Sequence, residues 1–126
     1  MRQSFRTPLG RVRFLGSARL GAEDNWRMRV TSLALIPLSI AFVVLVISVA
    51  HKDYNGARAL MGEPLPAVAM LLFVLAGLYH TELGMRSVIV DYLHGAAREW
   101  ALIANSCAAV ALALACVYAV LRIGFV

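Results

Sequence analysis

Three long stretches of the sequence carry almost no charge, and this feature limits the chain more than any other. They cover residues 30–50, 65–90 and 100–121, and at about 1.5 Å per helical residue each can cross a hydrocarbon core roughly 30 Å thick. Hydrophobic residues make up 61% of the chain and charged residues only 15%, against roughly a half and a quarter in ordinary globular domains. The sequence therefore predicts an all-α membrane protein with three transmembrane helices.

Basic residues are concentrated ahead of the first stretch. Residues 1–29 hold seven of the twelve Lys and Arg side chains, whereas the connection at residues 51–64 holds only Lys52 and Arg58. Because Lys and Arg collect on the cytoplasmic side of membrane proteins, we expect a cytoplasmic N-terminal arm over residues 1–29. The connection at residues 91–99 then returns to the cytoplasm. Proline and glycine in the arm predict mostly irregular structure, and residues 51–64 are expected to form a loop with at most one helical turn.

The third stretch carries small residues at helical spacing. Alanines recur at positions 104, 108, 111, 115 and 119, and such a row lets two helices approach closely in a membrane. We therefore expect this helix to pack against another helix.

His80 is the most informative ionisable residue, because it lies near the middle of the second stretch. A helix places it about 11 residues, or roughly 16 Å, from the cytoplasmic end, in one stripe with Gly84, Ser87 and Asp91. One interpretation is a hydrogen bond to a neighbouring carbonyl. The other is axial ligation of a haem through a neutral imidazole, with a flat ligand entering the gap at Gly84. The second axial ligand must then come from another chain, because His51 and His94 lie at opposite ends of the helices.

Glu82 and Arg86 are spaced i,i+4 on the face of the second helix roughly opposite His80. Their simplest interpretation is mutual neutralisation of an acid and a base inside the membrane. A role for Glu82 in relaying protons is the alternative interpretation, since ionisable residues within spans often serve transport.

Asp91 and Tyr92 close the second stretch. One interpretation is that both are ordinary residues of a helix end, because tyrosine and polar groups are common at the membrane interface. A phenol beside a carboxylate could instead donate a hydrogen bond and protons to a quinone as it is reduced. Arg29, just before the first stretch, could reach lipid phosphates or pair with carboxylates such as haem propionates.

These residues together form the pattern H-x3-G-x6-D-Y-x-H-G, written here as HTELGMRSVIVDYLHG. The pattern resembles that of the D-type cytochrome b membrane-anchor subunits of succinate dehydrogenase, respiratory complex II. The segment LGSARLGAEDNWRMR resembles the bacterial members of the same family. Many relatives have a histidine where this chain has Glu23, Asp24 and Asn25, so a propionate contact from that segment is not expected here.

The resemblance implies a subunit of a heteromeric helix bundle in the bacterial inner membrane. Its partners are implied to be a flavoprotein subunit, an iron-sulfur subunit and the sister cytochrome b anchor of the C type. His80 is implied to be one axial ligand of a haem b shared with that sister anchor, and Arg29 to lie near its propionates. Tyr92 is implied to bind ubiquinone, with Asp91 shaping and protonating that site. The chain lacks a glycine-rich dinucleotide motif and clustered cysteines, so FAD and iron-sulfur clusters belong to the partners.

Two other classes of membrane protein remain open from the residues alone. In a structural or regulatory protein, His80, Asp91 and Tyr92 are packing and interface residues. In a transporter subunit, Glu82, Arg86 and His80 form a proton path. A transporter predicts broken helices or internal repeats, and the sequence contains no internal repeat.

Overall fold

The computed structural model describes the backbone of residues 17–125 and the side chains of residues 23–124. The described backbone consists of four helices: α1 (Ser17–Ala50), α2 (Tyr54–Gly62), α3 (Pro64–Tyr92) and α4 (Gly95–Phe125). The stretches Glu23–Ala50, Pro64–Tyr92 and Gly95–Gly124 are each long and apolar enough to cross a membrane. The predicted all-α class with three membrane-crossing helices is therefore confirmed.

The part of the N-terminal arm that the structure describes, residues 17–29, is helical, whereas the arm as a whole was predicted to be mostly irregular. Helix α1 begins at Ser17, so residues 17–29 continue the helix of the first span, while residues 1–16 lie outside the described part. No proline interrupts residues 17–29, and an ion pair between Arg27 and Glu23 joins neighbouring turns. Such i,i+4 pairs favour the helix where the apolar residues end.

Both connections between the long helices are more ordered than predicted. Nine residues of the first form α2 rather than a loop, and the Asp53 carboxylate caps this helix by accepting from the Gly56 N–H at 3.1 Å. Only Leu93 and His94 separate α3 from α4, because Gly95 has a φ of 62° and turns the chain directly into the next helix.

Helix α3 lies between the other two long helices. It packs against α1 and α4, whereas α1 and α4 make no contact with each other among the described residues. Phe42 of α1 and Phe73 of α3 stack with ring centroids 4.3 Å apart. Only Leu83 and Ile89 form a buried apolar core in the described part of the chain. The many exposed apolar side chains suit a surface covered by lipid and by other membrane subunits.

The alanine row of α4 does not pack within this chain. Its members, Ala104, Ala108, Ala111, Ala115 and Ala119, are all exposed. Helix α4 instead turns a different, half-buried row towards α3, which includes Asn105, Ser106, Ala109 and Ala113. Helix α4 therefore packs against another helix, as predicted, but through this half-buried row and not through the alanine row, which remains exposed.

Candidate functional site

His80 lies on the side of α3 that faces α1. Its ring is half-buried, and Nδ1 lies 2.9 Å from the Thr31 Oγ1 atom of α1. The same Thr31 oxygen lies 3.0 Å from the backbone oxygen of Arg27 and 3.0 Å from that of Met28. The other ring nitrogen, Nε2, has no hydrogen-bond partner among the described side chains. The imidazole is therefore fixed on one side and free on the other.

Two glycines flank His80 along its face of α3. Gly77 lies three residues before it and Gly84 four residues after it, so both share its face of the helix. A Cβ atom added at either glycine would meet nothing within 4 Å. The helix backbone is therefore uncovered at Gly84, where the sequence analysis expected a flat ligand to approach; that approach stays a prediction.

These features fit one axial side of a haem. The requirements are an imidazole nitrogen without a hydrogen-bond partner, an apolar setting and space beside the ring. A second axial histidine is not available nearby, because His51 and His94 lie at the ends of the membrane-crossing helices and His51 contacts the Ile47 carbonyl at 2.7 Å. The remaining ligand to a six-coordinate haem has to come from outside the described part of this chain.

Asp91 lines a cavity of about 370 Å³ at the end of α3. The cavity also takes in residues from early α1, so the end of α3 and the beginning of the first span lie at the same end of the molecule. The lining residues are Asp24, Asn25, Met28, Arg86, Ser87, Val90 and Asp91. Asp91 shares the helix face of His80 and lies about 16 Å further along the axis.

Tyr92 and Arg29 lie apart from the His80 ring. Tyr92 is 78% exposed, and its hydroxyl bonds to no other described residue, so it is available at the outer surface beside Asp91. Arg29 is exposed too. Two residues correspond to about 200° of helix rotation, so Arg29 points away from the side on which Thr31 contacts His80.

The Glu82 cluster, formed by Glu82, Arg86, Asn105 and Ser106, lies on the opposite face of α3 from His80. Arg86 Nη2 donates to Glu82 Oε1 at 2.8 Å, which confirms the predicted pairing. Glu82 is buried, and its carboxylate also accepts from Ser106 Oγ at 3.0 Å. Asn105 Nδ2 donates to the Glu82 backbone carbonyl at 3.1 Å. The bonds from Ser106 and Asn105 to Glu82 join α3 to α4, whereas the bond from Arg86 lies within α3.

Sequence reasoning did not identify Thr31, Asn105 or Ser106. Each is a small polar residue in an apolar helix, and each contacts a polar residue that the sequence did single out. The available signal was the need of a buried carboxylate or imidazole for a hydrogen-bond partner at similar depth in a neighbouring helix.

Comparison with known proteins gives consistent results. Residues 3–120 match the family model described as succinate dehydrogenase/fumarate reductase transmembrane subunit. A succinate dehydrogenase hydrophobic membrane anchor subunit from Paracoccus denitrificans is 35% identical over 118 residues, covering 94% of this chain and 92% of that protein.

Proteins of the same description from Rickettsia show similar matches. The one from Rickettsia bellii is 28% identical over 93 residues, covering 74% of both chains, and the one from Rickettsia conorii is 31% identical over 90 residues, covering 71% of both. No solved structure matches the chain. Because the family model spans nearly the whole sequence and matches its three membrane-crossing helices, this chain belongs to the succinate dehydrogenase/fumarate reductase transmembrane subunits.

Proposed function

We propose that this chain is the hydrophobic membrane-anchor subunit of a succinate:quinone oxidoreductase. It holds the flavoprotein and iron-sulfur subunits at the membrane, shares a haem b with the sister cytochrome b anchor, and forms part of the site at which ubiquinone is reduced. The observation that carries the proposal is the family match over residues 3–120. The relative from Paracoccus denitrificans, which is named as such an anchor, covers 94% of the chain and supports it.

The shape of the chain supports assembly with other membrane subunits. Its three long helices bury only Leu83 and Ile89 as apolar core among the described residues, and the alanine row of α4 is exposed. Small residues on an exposed membrane helix permit close contact with a second helix. The sister anchor is the proposed partner, because it also has to supply the second haem ligand.

His80 is the proposed axial ligand of haem b in this chain. Its Nε2 atom, which has no hydrogen-bond partner among the described residues, would bind the iron, and neither Gly77 nor Gly84 places a side chain beside it. When bound, a haem supplies a one-electron carrier within the membrane. The contribution of the chain is to hold the imidazole in an apolar setting and in a fixed orientation. The family resemblance suggests Arg29 as the partner of a propionate, and such a contact would require its exposed side chain to turn towards the His80 side of α1.

Asp91 and Tyr92 are the proposed quinone-binding residues. The exposed Tyr92 hydroxyl can donate a hydrogen bond to a quinone carbonyl oxygen, and the Asp91 carboxyl beside it can hold and release a proton. Reduction of ubiquinone to ubiquinol takes up two electrons and two protons. The partner subunits deliver the electrons from succinate, and this end of α3 supplies hydrogen bonding and proton transfer.

The proposed location is the bacterial inner membrane, with the N-terminus in the cytoplasm. Seven of the twelve basic residues lie in residues 1–29, which favours a cytoplasmic position for that arm. Since the Asp91 cavity includes residues from early α1, the quinone site would open on the same side. The soluble subunits would dock there.

Purification from membranes tests this proposal. A tagged copy of the chain, extracted in mild detergent, is expected to retain a flavoprotein and an iron-sulfur protein and to catalyse succinate-dependent reduction of a soluble ubiquinone analogue. The untagged membrane extract provides the control. Recovery of the intact chain without any flavoprotein or succinate-dependent activity would contradict the proposal.

A further inference from the structure

We infer that Thr31 is a positioning residue that holds His80 in the tautomer with the proton on Nδ1. This inference rests on the proposed haem ligation by His80 and names the residue that prepares the ligand. Thr31 is the only described side chain within hydrogen-bonding distance of the His80 ring, at 2.9 Å from Nδ1. Thr31 therefore acts on His80 through the contact between these two atoms.

The neighbours of the Thr31 hydroxyl decide which atom donates. A hydroxyl has one proton and two acceptor lone pairs. Two backbone oxygens, those of Arg27 and Met28, each lie 3.0 Å from Thr31 Oγ1. If the hydroxyl proton pointed elsewhere, lone pairs on three oxygens would face one another at that distance. The proton therefore lies between Oγ1 and these carbonyls, as is common for threonine in helices.

A lone pair is then all that Thr31 can offer to His80. A hydrogen bond needs one donor, so the proton of the contact has to be on His80 Nδ1, which donates to Thr31 Oγ1. A neutral imidazole carries a single N–H, so Nε2 is left with its lone pair. This is the tautomer that a metal ligand bound through Nε2 requires.

The hydrogen bond also fixes the direction in which the ring points. Helix α1 holds Thr31 through its two carbonyl contacts, and Thr31 holds the Nδ1 side of the ring. Nε2, on the far side of the ring from Nδ1, is then directed away from that contact, and Gly77 and Gly84 on the same face of α3 carry no side chains. Donation from the second ring nitrogen makes an imidazole a stronger ligand and restricts its rotation.

Substitution of Thr31 in the whole complex tests the inference. Thr31→Val keeps the size of the side chain and removes the oxygen, whereas Thr31→Ser keeps the oxygen. Thr81→Val is the matched control, because the Thr81 hydroxyl also donates to a carbonyl of its own helix, that of Gly77 at 2.8 Å, without contacting the His80 ring. Thr31→Ala provides a second oxygen-free variant if the valine impairs assembly. Haem midpoint potential and the rate of haem loss to a haem-free acceptor protein are the readouts.

Thr31→Val and Thr31→Ala are expected to raise the midpoint potential, because a weaker imidazole donor stabilises the ferric iron less. Haem affinity is expected to fall about tenfold, as for other residues that orient metal ligands. Thr31→Ser and Thr81→Val are expected to match the wild type. Unchanged potential and haem loss in both oxygen-free variants, or equal changes in Thr31→Ser, would overturn the inference while the proposed function stands. A wild-type complex with succinate:quinone activity and no b-type signal would overturn the haem ligation and this inference with it.

Discussion

Polar side chains lie at similar depth on two opposite faces of α3, but they differ in how many hydrogen bonds they make within the chain. On one face, Glu82 is buried and its carboxylate bonds to both Arg86 and Ser106, which closes the contact with α4. On the other face, His80 has a single contact, to Thr31, and glycines on either side leave open space. The Glu82 carboxylate thus has two donors within the chain, although the buried Arg86 Nε has no partner among the described residues. The His80 ring has one contact and keeps its second nitrogen available.

This difference separates a structural from a functional use of polar residues within a membrane. A carboxylate that accepts hydrogen bonds from its own helix and from Ser106 of the next helix is satisfied within the chain, and it connects the two helices. A half-satisfied histidine beside open space instead needs something from outside the chain. The contrast therefore favours His80, and not Glu82, as the residue that takes part in electron transfer, and it weakens a proton-relay role for Glu82.

Tyr92→Phe, at the C-terminal end of α3, is expected to produce the largest effect. Loss of a positioned proton donor lowers turnover by about 100-fold, so succinate:ubiquinone reductase activity is expected to fall by that order, with succinate oxidation by a soluble dye unchanged. Tyr54→Phe is a matched control, because Tyr54 is 77% exposed and Tyr92 78%. Equal quinone activity in the two variants would remove Tyr92 from the site.

Gly84→Phe is expected to block the open space beside His80. Overfilling a site costs about 1–3 kcal/mol, and about 1.4 kcal/mol corresponds to tenfold in binding, so haem affinity is expected to fall about tenfold and haem content per flavin to decrease. Gly124→Phe is the control, since a Cβ atom added at Gly124 would also meet nothing within 4 Å, but Gly124 lies at the end of α4. Normal haem content in Gly84→Phe would show that the open space serves another purpose.

Glu82→Ala is expected to weaken the contact between α3 and α4 without affecting the face of α3 that carries His80. It leaves Arg86 without its carboxylate and Ser106 without its acceptor, and such unpaired groups cost about 1–3 kcal/mol. Thermal unfolding of the purified complex is expected to begin at lower temperature, with the haem spectrum and quinone activity at room temperature unchanged. A selective loss of quinone activity at full stability would instead support a proton-relay role.

Ser106→Ala is expected to have the smallest effect. It removes one of the two hydrogen bonds to the Glu82 carboxylate, and interhelical hydrogen bonds in membranes contribute about 0.6 kcal/mol on average. The expected result is a small decrease in thermal stability, well below that of Glu82→Ala. A decrease as large as that of Glu82→Ala would mean that Ser106, and not Arg86, is the main partner of the carboxylate.

Hydrophobic length and periodicity were sufficient to predict the three membrane-crossing helices, because each depends only on local composition. They were also sufficient for the Glu82–Arg86 pair, whose members are one helical turn apart. The helix boundaries were predicted less well from the sequence. Residues 17–29 are polar yet helical, and α2 forms in a segment rich in glycine and polar residues.

The partners of the site residues could not be predicted, because they depend on contacts between helices. Thr31 lies 49 positions from His80 in sequence and Ser106 lies 24 from Glu82. A helix beginning at residue 30 would place Thr31 at the membrane surface, whereas the observed α1 begins at Ser17 and places Thr31 beside a mid-span histidine. Packing of α3 between α1 and α4 decides both contacts.

The most direct test compares one variant from each face of α3 in the purified complex. Reduced-minus-oxidised spectra are recorded for the wild type, His80→Ala and Glu82→Gln, with succinate:dye activity as the measure of assembly. The account predicts a b-type signal in the wild type and in Glu82→Gln, and its loss or alteration in His80→Ala. An assembled His80→Ala complex with an unchanged b-type spectrum would contradict the assignment of His80 as the haem ligand.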